Sequence, residues 1–312
     1  MNVRLTHIDG KLPNLALMKL AHWHKAQGDS VVLRRTPNPD MFEPAYEQVY
    51  GSAIFQWSQK PIQRLIEAFP AAVVGGTGTA MGVTVEQMIG EPDYEYYDYS
   101  IYPDYPYSIG FTQRGCRLNC GFCVVPKKEG KPKSVNTIWG IWRADTLRCV
   151  VLLDNDFFGQ PEAQWRERIG ELREGHFKVS FNQGVNIRMI TPDSAAALAS
   201  VKYYDDQFQT RRLYTAWDNL GQEKVFFRGM EMLRDAGVPP SHLMVYMLIG
   251  YKSGETMDEI MYRYQRLKEA GCKPYPMVYQ NENRLLKRFQ RWVIRRHDEV
   301  VDWKIYSKGY KP

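Results

Sequence analysis

The sequence lacks long apolar runs and is poor in cysteine. Its 312 residues contain nothing near the ~20 consecutive apolar residues that a membrane-spanning helix needs. Five cysteines in a chain of this length cannot form the disulfide framework of a small secreted domain. The N-terminus also lacks the apolar stretch of a signal peptide. We therefore expect a soluble, cytoplasmic protein that does not associate with membranes.

The sequence also lacks a strong excess of either charge, since 41 Lys and Arg residues stand against 35 Asp and Glu residues. The net charge of +6 is nevertheless uneven, with −3 over residues 1–100 and +9 over residues 101–312. Hydrophobic residues make up 44% of the chain, which excludes a mainly disordered protein. The basic second part is compatible with an anionic substrate such as a nucleic acid, although solubility alone explains many such balances.

Residues 1–93 alternate between strand and helix patterns. The predicted strands are Val3–Ile8, Ser30–Leu33, Val49–Phe55 and Ala71–Val74, and the predicted helices are Leu15–Gln27 and Pro61–Ala68. This alternation predicts an α/β domain with a doubly wound, Rossmann-like sheet. The last strand runs into the glycine-rich segment Gly75–Gly82, where such a sheet binds ligands, although a tight turn explains the glycines equally well.

Residues 94–107 contain seven tyrosines and two prolines with almost no aliphatic periodicity. We interpret residues 94–106 as a Tyr-rich linker between two domains. Its rings either pack along a domain boundary or line a cleft.

The strand and helix alternation resumes over residues 107–280. The predicted strands are Tyr107–Thr112, Cys149–Leu153, Lys178–Asn182, Arg212–Ala216, Leu243–Ile249 and Pro276–Tyr279, and the predicted helices include Glu162–Glu174, Ser194–Ala199, Val225–Ala236 and Thr256–Ala270. Six strands in this length are too few for a complete eight-stranded TIM barrel of ~250 residues. We therefore predict an open, partial (β/α)6 barrel, followed by a basic helix and tail over residues 281–312.

Three cysteines follow the first strand of this second domain in a C-x3-C-x2-C spacing, as Cys116, Cys120 and Cys123. Thiolates so close in sequence are typical ligands of zinc, copper or an iron–sulfur cluster. A structural zinc site would need a fourth ligand, from Cys149, Cys272 or a distant histidine. Three ligands without an obvious fourth favour a [4Fe–4S] cluster with one open iron.

With Phe122 just before the third cysteine, this motif resembles the signature of the radical S-adenosylmethionine superfamily. The resemblance covers about residues 101–280. It implies an enzyme whose open iron binds S-adenosylmethionine, and whose cluster receives one electron from a flavodoxin- or ferredoxin-type reductant. Cleavage then yields methionine and a 5′-deoxyadenosyl radical that abstracts hydrogen.

The resemblance also implies that residues at the strand ends bind S-adenosylmethionine. The segment after the second strand, Leu152–Gly159, stands where the family has a Gly-Gly-Glu-like segment, and the family's fifth-strand turn is matched by Met247–Thr256. The residues implied in binding are Phe122, Asp154, Asn155, Gln183, Arg188, Ile249, Gly250 and Val278.

The N-terminal domain resembles the cobalamin-binding domain of class B radical methyltransferases, with Gly75, Gly76 and Thr77 at the glycine turn. The lower-ligand motif Asp-x-His-x-x-Gly is absent, so the resemblance leaves open a cobalamin without that histidine or a scaffold without cobalamin. Residues 1–115 contain no cysteine, which disfavours the second cluster of methylthiotransferases. Radical methylation is expected if cobalamin binds, and another hydrogen abstraction if it does not.

Near the C-terminus, basic residues recur on one helical face beside an apolar stripe. The basic residues are Arg284, Lys287, Arg288, Arg291 and Arg295, and the apolar ones are Leu285, Leu286, Phe289, Trp292 and Val293. The basic face either binds nucleic-acid phosphates or is simply solvated.

The leading hypothesis from the sequence as a whole is a radical S-adenosylmethionine enzyme. The alternatives are a nucleic-acid-modifying member of the superfamily without cobalamin, and a non-catalytic zinc or iron–sulfur binding protein.

Overall fold

A computed structural model describes residues 1–79, 84–92, 94–279 and 282–308. The end of the predicted glycine run, Ala80–Gly82, lies outside the described residues, as do Asp93, Gln280, Asn281 and the last four residues of the predicted tail. The chain divides into two compact units, residues 1–106 and residues 107–312.

The first unit is a parallel α/β unit. Its elements are β1 (Asn2–His7), α1 (Leu15–Ala26), β2 (Ser30–Arg34), β3 (Gln48–Ser52), α2 (Gln59–Ala68), β4 (Val73–Gly75) and α3 (Val85–Ile89). The four strands form one sheet in the order β2-β1-β3-β4, and every pairing is parallel. Each predicted strand and helix is observed, with ends that differ by a few residues. A parallel arrangement follows because a helix or a long loop carries the chain back between neighbouring strands.

The core of the first unit forms where β1 packs against α1. Val3 and Leu5 are fully buried and belong to the same apolar cluster as Leu17 and Ala21 of the helix. Asn14 begins α1 by accepting a hydrogen bond from the Leu17 N–H, which is the usual role of asparagine before the first helical turn.

The tyrosine-rich residues 94–106, predicted as a linker, lie within the first unit. The Tyr94 hydroxyl is 2.6 Å from Nδ1 of His22 on α1, and Tyr102 is buried beside His7 at the end of β1. The tyrosine rings supply apolar surface that this small unit needs to cover its helix and strand.

The second unit contains nine strands among its described residues. Its strands are β5 (Ser108–Gly110), β6 (Gln113–Arg114), β7 (Lys133–Ser134), β8 (Cys149–Leu152), β9 (Lys178–Phe181), β10 (Lys202–Tyr203), β11 (Leu213–Ala216), β12 (Leu243–Ile249) and β13 (Lys273–Val278). Its helices are α4 (Val125–Glu129), α5 (Ile138–Ile141), α6 (Glu162–Glu174), α7 (Pro192–Ala199), α8 (Glu223–Asp235), α9 (Met257–Glu269), α10 (Arg284–Ile294) and α11 (Trp303–Tyr306).

Two parallel sheets carry most of these strands, in the orders β10-β9-β8-β5 and β11-β12-β13. The Val185 N–H, just after β9, donates to the Tyr214 carbonyl of β11 at 2.8 Å and joins the two sheets there. The six longer parallel strands therefore follow one another in chain order. The predicted α/β class with parallel sheets is confirmed.

One large core fills the second unit, from Val150 of β8 to Phe289 of α10. Because the strands are parallel, their carboxyl ends meet at one edge of the unit, and loops from different parts of the chain lie close together there. No helix in the described ranges has the length and apolar character needed to cross a bilayer.

Candidate functional site

The three cysteines of the motif lie in one loop, Gly115–Cys123, between β6 and α4. Gly115 begins the loop with a φ of +82°, and a Cβ atom there would lie 2.3 Å from the carbonyl oxygen of Lys131. Only glycine fits this position. The Cys116 N–H donates to the Gly130 carbonyl at 3.2 Å, which closes the base of the loop.

The thiols of the loop are half-buried and none forms a disulfide. Burial raises the pKa of Cys116 and of Cys123, and the neighbouring sulfurs raise both further. The Leu118 N–H donates to Cys116 Sγ at 3.4 Å. Across the described residues, no group of three or more His, Cys, Asp or Glu side chains is arranged to hold a metal ion. The fold thus gathers the cysteines in one loop without arranging their sulfurs as a finished ligand set.

The chemistry of the donor set distinguishes between the metals that thiolates favour. Cys149 begins β8 and Cys272 precedes β13, so both lie at the amino ends of parallel strands, away from the carboxyl-end loop. Both are buried, and Cys272 Sγ lies 3.6 Å from the sulfur of Met230. Neither can supply a fourth ligand to zinc beside Cys120. Three thiolates alone fit a [4Fe–4S] cluster with one open iron.

The carboxyl end of β8 supports the cysteine loop. Asp154 is buried, and its carboxylate accepts hydrogen bonds from the N–H and hydroxyl of Thr112 and from the Gln113 N–H. Burial raises the pKa of Asp154 to about 7. Asn155 donates its amide to Glu129 Oε2 at 2.7 Å. Both side chains were predicted to contact S-adenosylmethionine. In the structure, both instead form hydrogen bonds to the segments that precede and follow the cysteine loop.

A second aspartate after β8 holds the loop directly. The Asp156 carboxylate is buried and accepts from Arg117 through Nε at 2.7 Å and Nη2 at 3.0 Å, and the Arg117 N–H adds a third bond at 3.2 Å. This two-pronged pairing fixes both the position and the orientation of the guanidinium. Arg117 directly follows Cys116, so Asp156 fixes the first cysteine of the motif.

Arg188 reaches the same loop from the end of β9. Its Nη2 donates to Cys120 Sγ at 3.6 Å, although 68 residues separate the two in sequence. Burial raises the pKa of Asp218, which follows β11, and the positive charge of Arg188 acts in the opposite direction and lowers it. Gln183, the other residue predicted here, is exposed at the turn after β9. The predicted Arg188 is therefore brought to the cysteines, and Gln183 makes no described contact with them.

Past β11 and β12, a buried charged cluster stabilises the next part of the strand-end surface. Arg263 of α9 is 1% exposed and donates to Glu255 and to the carbonyls of Trp217 and Leu248. Glu255 accepts in turn from the Gly250 N–H at 2.7 Å. The Asp218 carboxylate accepts from the Leu248 N–H at 2.9 Å, and burial raises its pKa. These bonds fix the turn at Gly250, where φ is +75°.

The turn after β12 also touches the cysteine loop. The Tyr251 hydroxyl lies 2.6 Å from the position that a Cβ on Gly121 would take, so a larger residue there would collide with it. The rings of Phe122 and Tyr251 meet edge to face, with centroids 5.3 Å apart. The loop that holds the cysteines therefore contacts the ends of three other strands, β8, β9 and β12.

An open strand edge lies next to this turn. The Tyr279 N–H donates to the Ile249 carbonyl, so Val278 directs its own N–H and C=O to the other side of β13. No strand among the described residues pairs with that side. Pro274 and Pro276 occupy the same edge, where a missing N–H costs no ladder bond. Val278 thus presents a donor and an acceptor beside Ile249, whose side chain is buried.

In the first unit, the glycine turn after β4 packs against its own chain. Gly76 has a φ of +105°, and a Cβ there would lie 2.2 Å from the Ala53 carbonyl oxygen. A Cβ on Gly78 would lie 2.4 Å from the Phe55 carbonyl oxygen, and the Gly78 N–H donates to the Ala53 carbonyl at 2.9 Å. The space that these glycines leave is filled by the loop after β3. Close packing on the loop after β3 therefore accounts for Gly76 and Gly78, the tight-turn alternative for these two glycines.

Several residues of the strand-end surface were missed from the sequence: Gln113, Arg117, Asp156, Asp218, Glu255 and Arg263. One sequence feature could have identified Asp156 and Asp218, since each is an acidic residue within a few positions of the end of a predicted strand. No sequence feature identifies Arg263, because an arginine in the middle of a helix is normally exposed.

Comparisons with known proteins identify no relatives that establish a family. No family model matches the chain, and no curated protein matches it. A crystal structure of a mutation variant of SsGBP is similar at 10% identity, over 96% of this chain and 98% of its own, with a TM-score of 0.21. A similarity of that size carries no argument about fold or function.

Proposed function

We propose that this protein is a radical S-adenosylmethionine enzyme in which Cys116, Cys120 and Cys123 ligate a [4Fe–4S] cluster. The observation that carries the proposal is the position of the three-cysteine loop. It lies at the carboxyl ends of parallel strands in chain order, and it contacts residues after β8, β9 and β12. Ligands of open α/β sheets bind at such an edge.

A cluster held by Cys116, Cys120 and Cys123 would supply one-electron reduction of S-adenosylmethionine, with the electron coming from a flavodoxin- or ferredoxin-type reductant. The sulfur–C5′ bond would break to give methionine and a 5′-deoxyadenosyl radical, which would take a hydrogen atom from the substrate. Arg188 places a guanidinium fork beside Cys120, suited to the methionyl carboxylate. Val278 offers a backbone donor and acceptor suited to the adenine edge. Phe122 contributes exposed apolar surface. Ile249 is buried and a Cβ on Gly250 would lie 2.5 Å from Leu286, so these two residues shape the turn rather than face a ligand.

The remaining polar residues hold the loop. Asp156 orients Arg117, and Asp154 fixes the chain at Thr112, so the backbone on both sides of Cys116 is held in place while the cysteine side chains move to bind iron. The chain order of the six parallel strands supports a partial (β/α)6 barrel. The turn at Gly76 packs against Ala53 and the lower-ligand histidine motif is absent, and both observations favour a scaffold without cobalamin in the first unit. The proposed reaction is therefore a hydrogen abstraction that is not routed through cobalamin.

Anaerobic reconstitution with iron and sulfide tests the proposal. We expect about four irons per chain. We also expect 5′-deoxyadenosine to form when S-adenosylmethionine and a strong reductant are added. The combined variant Cys116→Ala, Cys120→Ala and Cys123→Ala is expected to lose both properties. A second sample with hydroxocobalamin is expected to bind none of it after gel filtration.

The two other cysteines provide the matched control. Cys149→Ala and Cys272→Ala each remove a buried thiol from the amino ends of the strands, so both are expected to keep full iron content and cleavage activity. Cleavage that survives in the triple variant would refute the proposal. One zinc per chain without cleavage would instead select a zinc-binding protein.

A further inference from the structure

The helix α10 presents uncompensated positive charge to solvent. Four members of its apolar stripe are buried: Leu286, Phe289, Trp292 and Val293. The fifth, Leu285, was predicted to pack with them but is exposed. Asn283 fixes the first turn by accepting from the Leu286 N–H at 3.1 Å. This packing turns the basic stripe outward. Three of its members are exposed and two are half-exposed: Arg284, Arg291 and Arg295, then Lys287 and Arg288.

None of these five basic side chains takes part in an ion pair within the described residues. Other arginines of the second unit do pair, as Arg166 does with Glu162 and Arg266 with Glu223. Among the described residues, the one side-chain hydrogen bond given for the stripe runs from Arg288 to the Ser307 carbonyl. Unpaired Lys and Arg side chains that recur every ~5 Å along a helix can each form an ion pair with one anionic group of a polyanion.

A groove of about 670 Å³ lies along this face, lined by Arg284, Leu285, Lys287, Arg288 and Arg291. A neighbouring pocket of about 430 Å³ shares Leu285 with it and is lined by the loop from Gly250 to Glu255. The two cavities thus run from the basic stripe to the turn after β12. That turn contacts the cysteine loop through Tyr251 and Phe122.

Aromatic rings mark the far end of this path. Tyr251 and Tyr279 are 41% and 51% exposed, and their rings meet edge to face with centroids 4.9 Å apart. Exposed aromatic rings next to a cationic groove are the features with which proteins bind single strands, because bases stack on the rings while phosphates meet the cations. An acidic polypeptide would use the cations and leave the rings without a partner.

We infer that α10 and the Tyr251 turn bind a single-stranded nucleic acid, with phosphates on Arg284, Lys287 and Arg291 and a base on Tyr251 or Tyr279. The inference rests on the proposed function in one respect, since it makes this strand the substrate from which hydrogen is abstracted. A single strand is required because a base inside a duplex is stacked and cannot reach the cysteine loop. RNA and DNA share the phosphate and base chemistry, so both serve as probes.

Fluorescence anisotropy of the full chain with labelled strands of about 20 nucleotides tests the inference. Single-stranded RNA, single-stranded DNA, a duplex, polyglutamate and vesicles containing phosphatidylserine are compared over about 50 to 300 mM salt. We expect one or both single strands to bind more tightly than every other probe. Whichever of single-stranded RNA and single-stranded DNA binds with the higher affinity is identified as the substrate class.

The variant Arg284→Ala, Lys287→Ala, Arg291→Ala is expected to bind at least about tenfold more weakly, with the slope of log K against log salt reduced by ~2. The matched control Lys224→Ala, Arg228→Ala, Arg234→Ala removes three exposed charges from α8 and is expected to bind like the wild type. Tyr251→Ala is expected to weaken binding about tenfold without changing the salt slope, whereas Tyr251→Phe restores it.

The inference is overturned if neither single strand binds at low salt, if the α10 variant binds like the control, or if duplex, polyglutamate or vesicles bind as tightly as the strands. The chain with all three motif cysteines changed to alanine is expected to keep binding. Retained binding without cleavage by the wild type would refute the proposed function alone, and cleavage without binding would refute this inference alone.

Discussion

Arg188 and Cys120 lie 3.6 Å apart, from Nη2 to Sγ, in loops that follow β9 and β6. The pair places a positive fork beside the middle cysteine of the motif. This contact connects the sequence motif to a second, distant part of the chain.

Arg188→Gln is expected to leave the iron content of the reconstituted protein unchanged and to weaken S-adenosylmethionine binding at least about tenfold, because one charge-assisted hydrogen bond is worth ~1.5–3 kcal/mol. Arg188→Lys keeps the charge without the fork, so an intermediate affinity is expected. Equilibrium binding to the reconstituted protein measures both. Equal affinity in all three proteins would show that Arg188 only stabilises the loop.

Asp156→Asn is expected to lower iron incorporation and to destabilise the second unit. The carboxylate is buried, but Arg117 is 30% exposed, so the expected loss is about 1–3 kcal/mol rather than the larger cost of breaking a fully buried pair. Iron analysis and thermal unfolding measure the two effects. Arg166→Gln, which breaks exposed pairs with Glu162 and Asp193, is the control and is expected to change neither. Full iron content in the Asp156 variant would contradict the role given to Arg117.

Most of the longer strands were predictable because they contain a short run rich in apolar residues, whereas the two-residue strands β6, β7 and β10 contain no such run and were not predicted. The starts of several helices were also predictable from the sequence. Thr256, for example, accepts a hydrogen bond from the Glu259 N–H and begins α9. Both signals are local, so they survive without knowledge of the tertiary fold.

The roles of individual polar residues were not predictable. Asp154 and Asp156 follow the same strand two positions apart. One fixes Thr112 and the other Arg117, and nothing local separates those roles. The contact between Arg188 and Cys120 depends on how β9 lies relative to the cysteine loop. A sequence motif supplies candidate ligands, whereas the partners that orient them come from tertiary packing.

Gly76→Ala is expected to destabilise the first unit by about 3 kcal/mol or more. The added Cβ would meet a backbone carbonyl at 2.2 Å, and the φ of +105° disfavours any side chain. Gly28→Ala is the matched control: its φ is +82°, but a Cβ there has nothing within 4 Å, so a loss of only ~1 kcal/mol is expected. Guanidinium unfolding compares the two. Similar losses would mean that the turn does not pack against Ala53 as described.

His7 is expected to make the stability of the first unit depend on pH. It is buried at the end of β1, with Nδ1 3.0 Å from the Tyr102 hydroxyl and no hydrogen-bond partner for Nε2 within the described residues. Burial lowers the pKa of His7 below its usual 6.5, and the charge of Arg35 lowers it further.

Below pH 6.5 the unfolded chain therefore takes up a proton at His7 that the folded chain does not. Stability is lost as the pH falls through this range, by up to ~1.4 kcal/mol per pH unit. His7→Gln cannot take up that proton, so its free energy of unfolding is expected to fall less than that of the wild type between about pH 7.5 and pH 5.5. Guanidinium unfolding at several pH values measures the difference, and parallel curves for the two proteins would show that His7 already titrates normally in the folded chain.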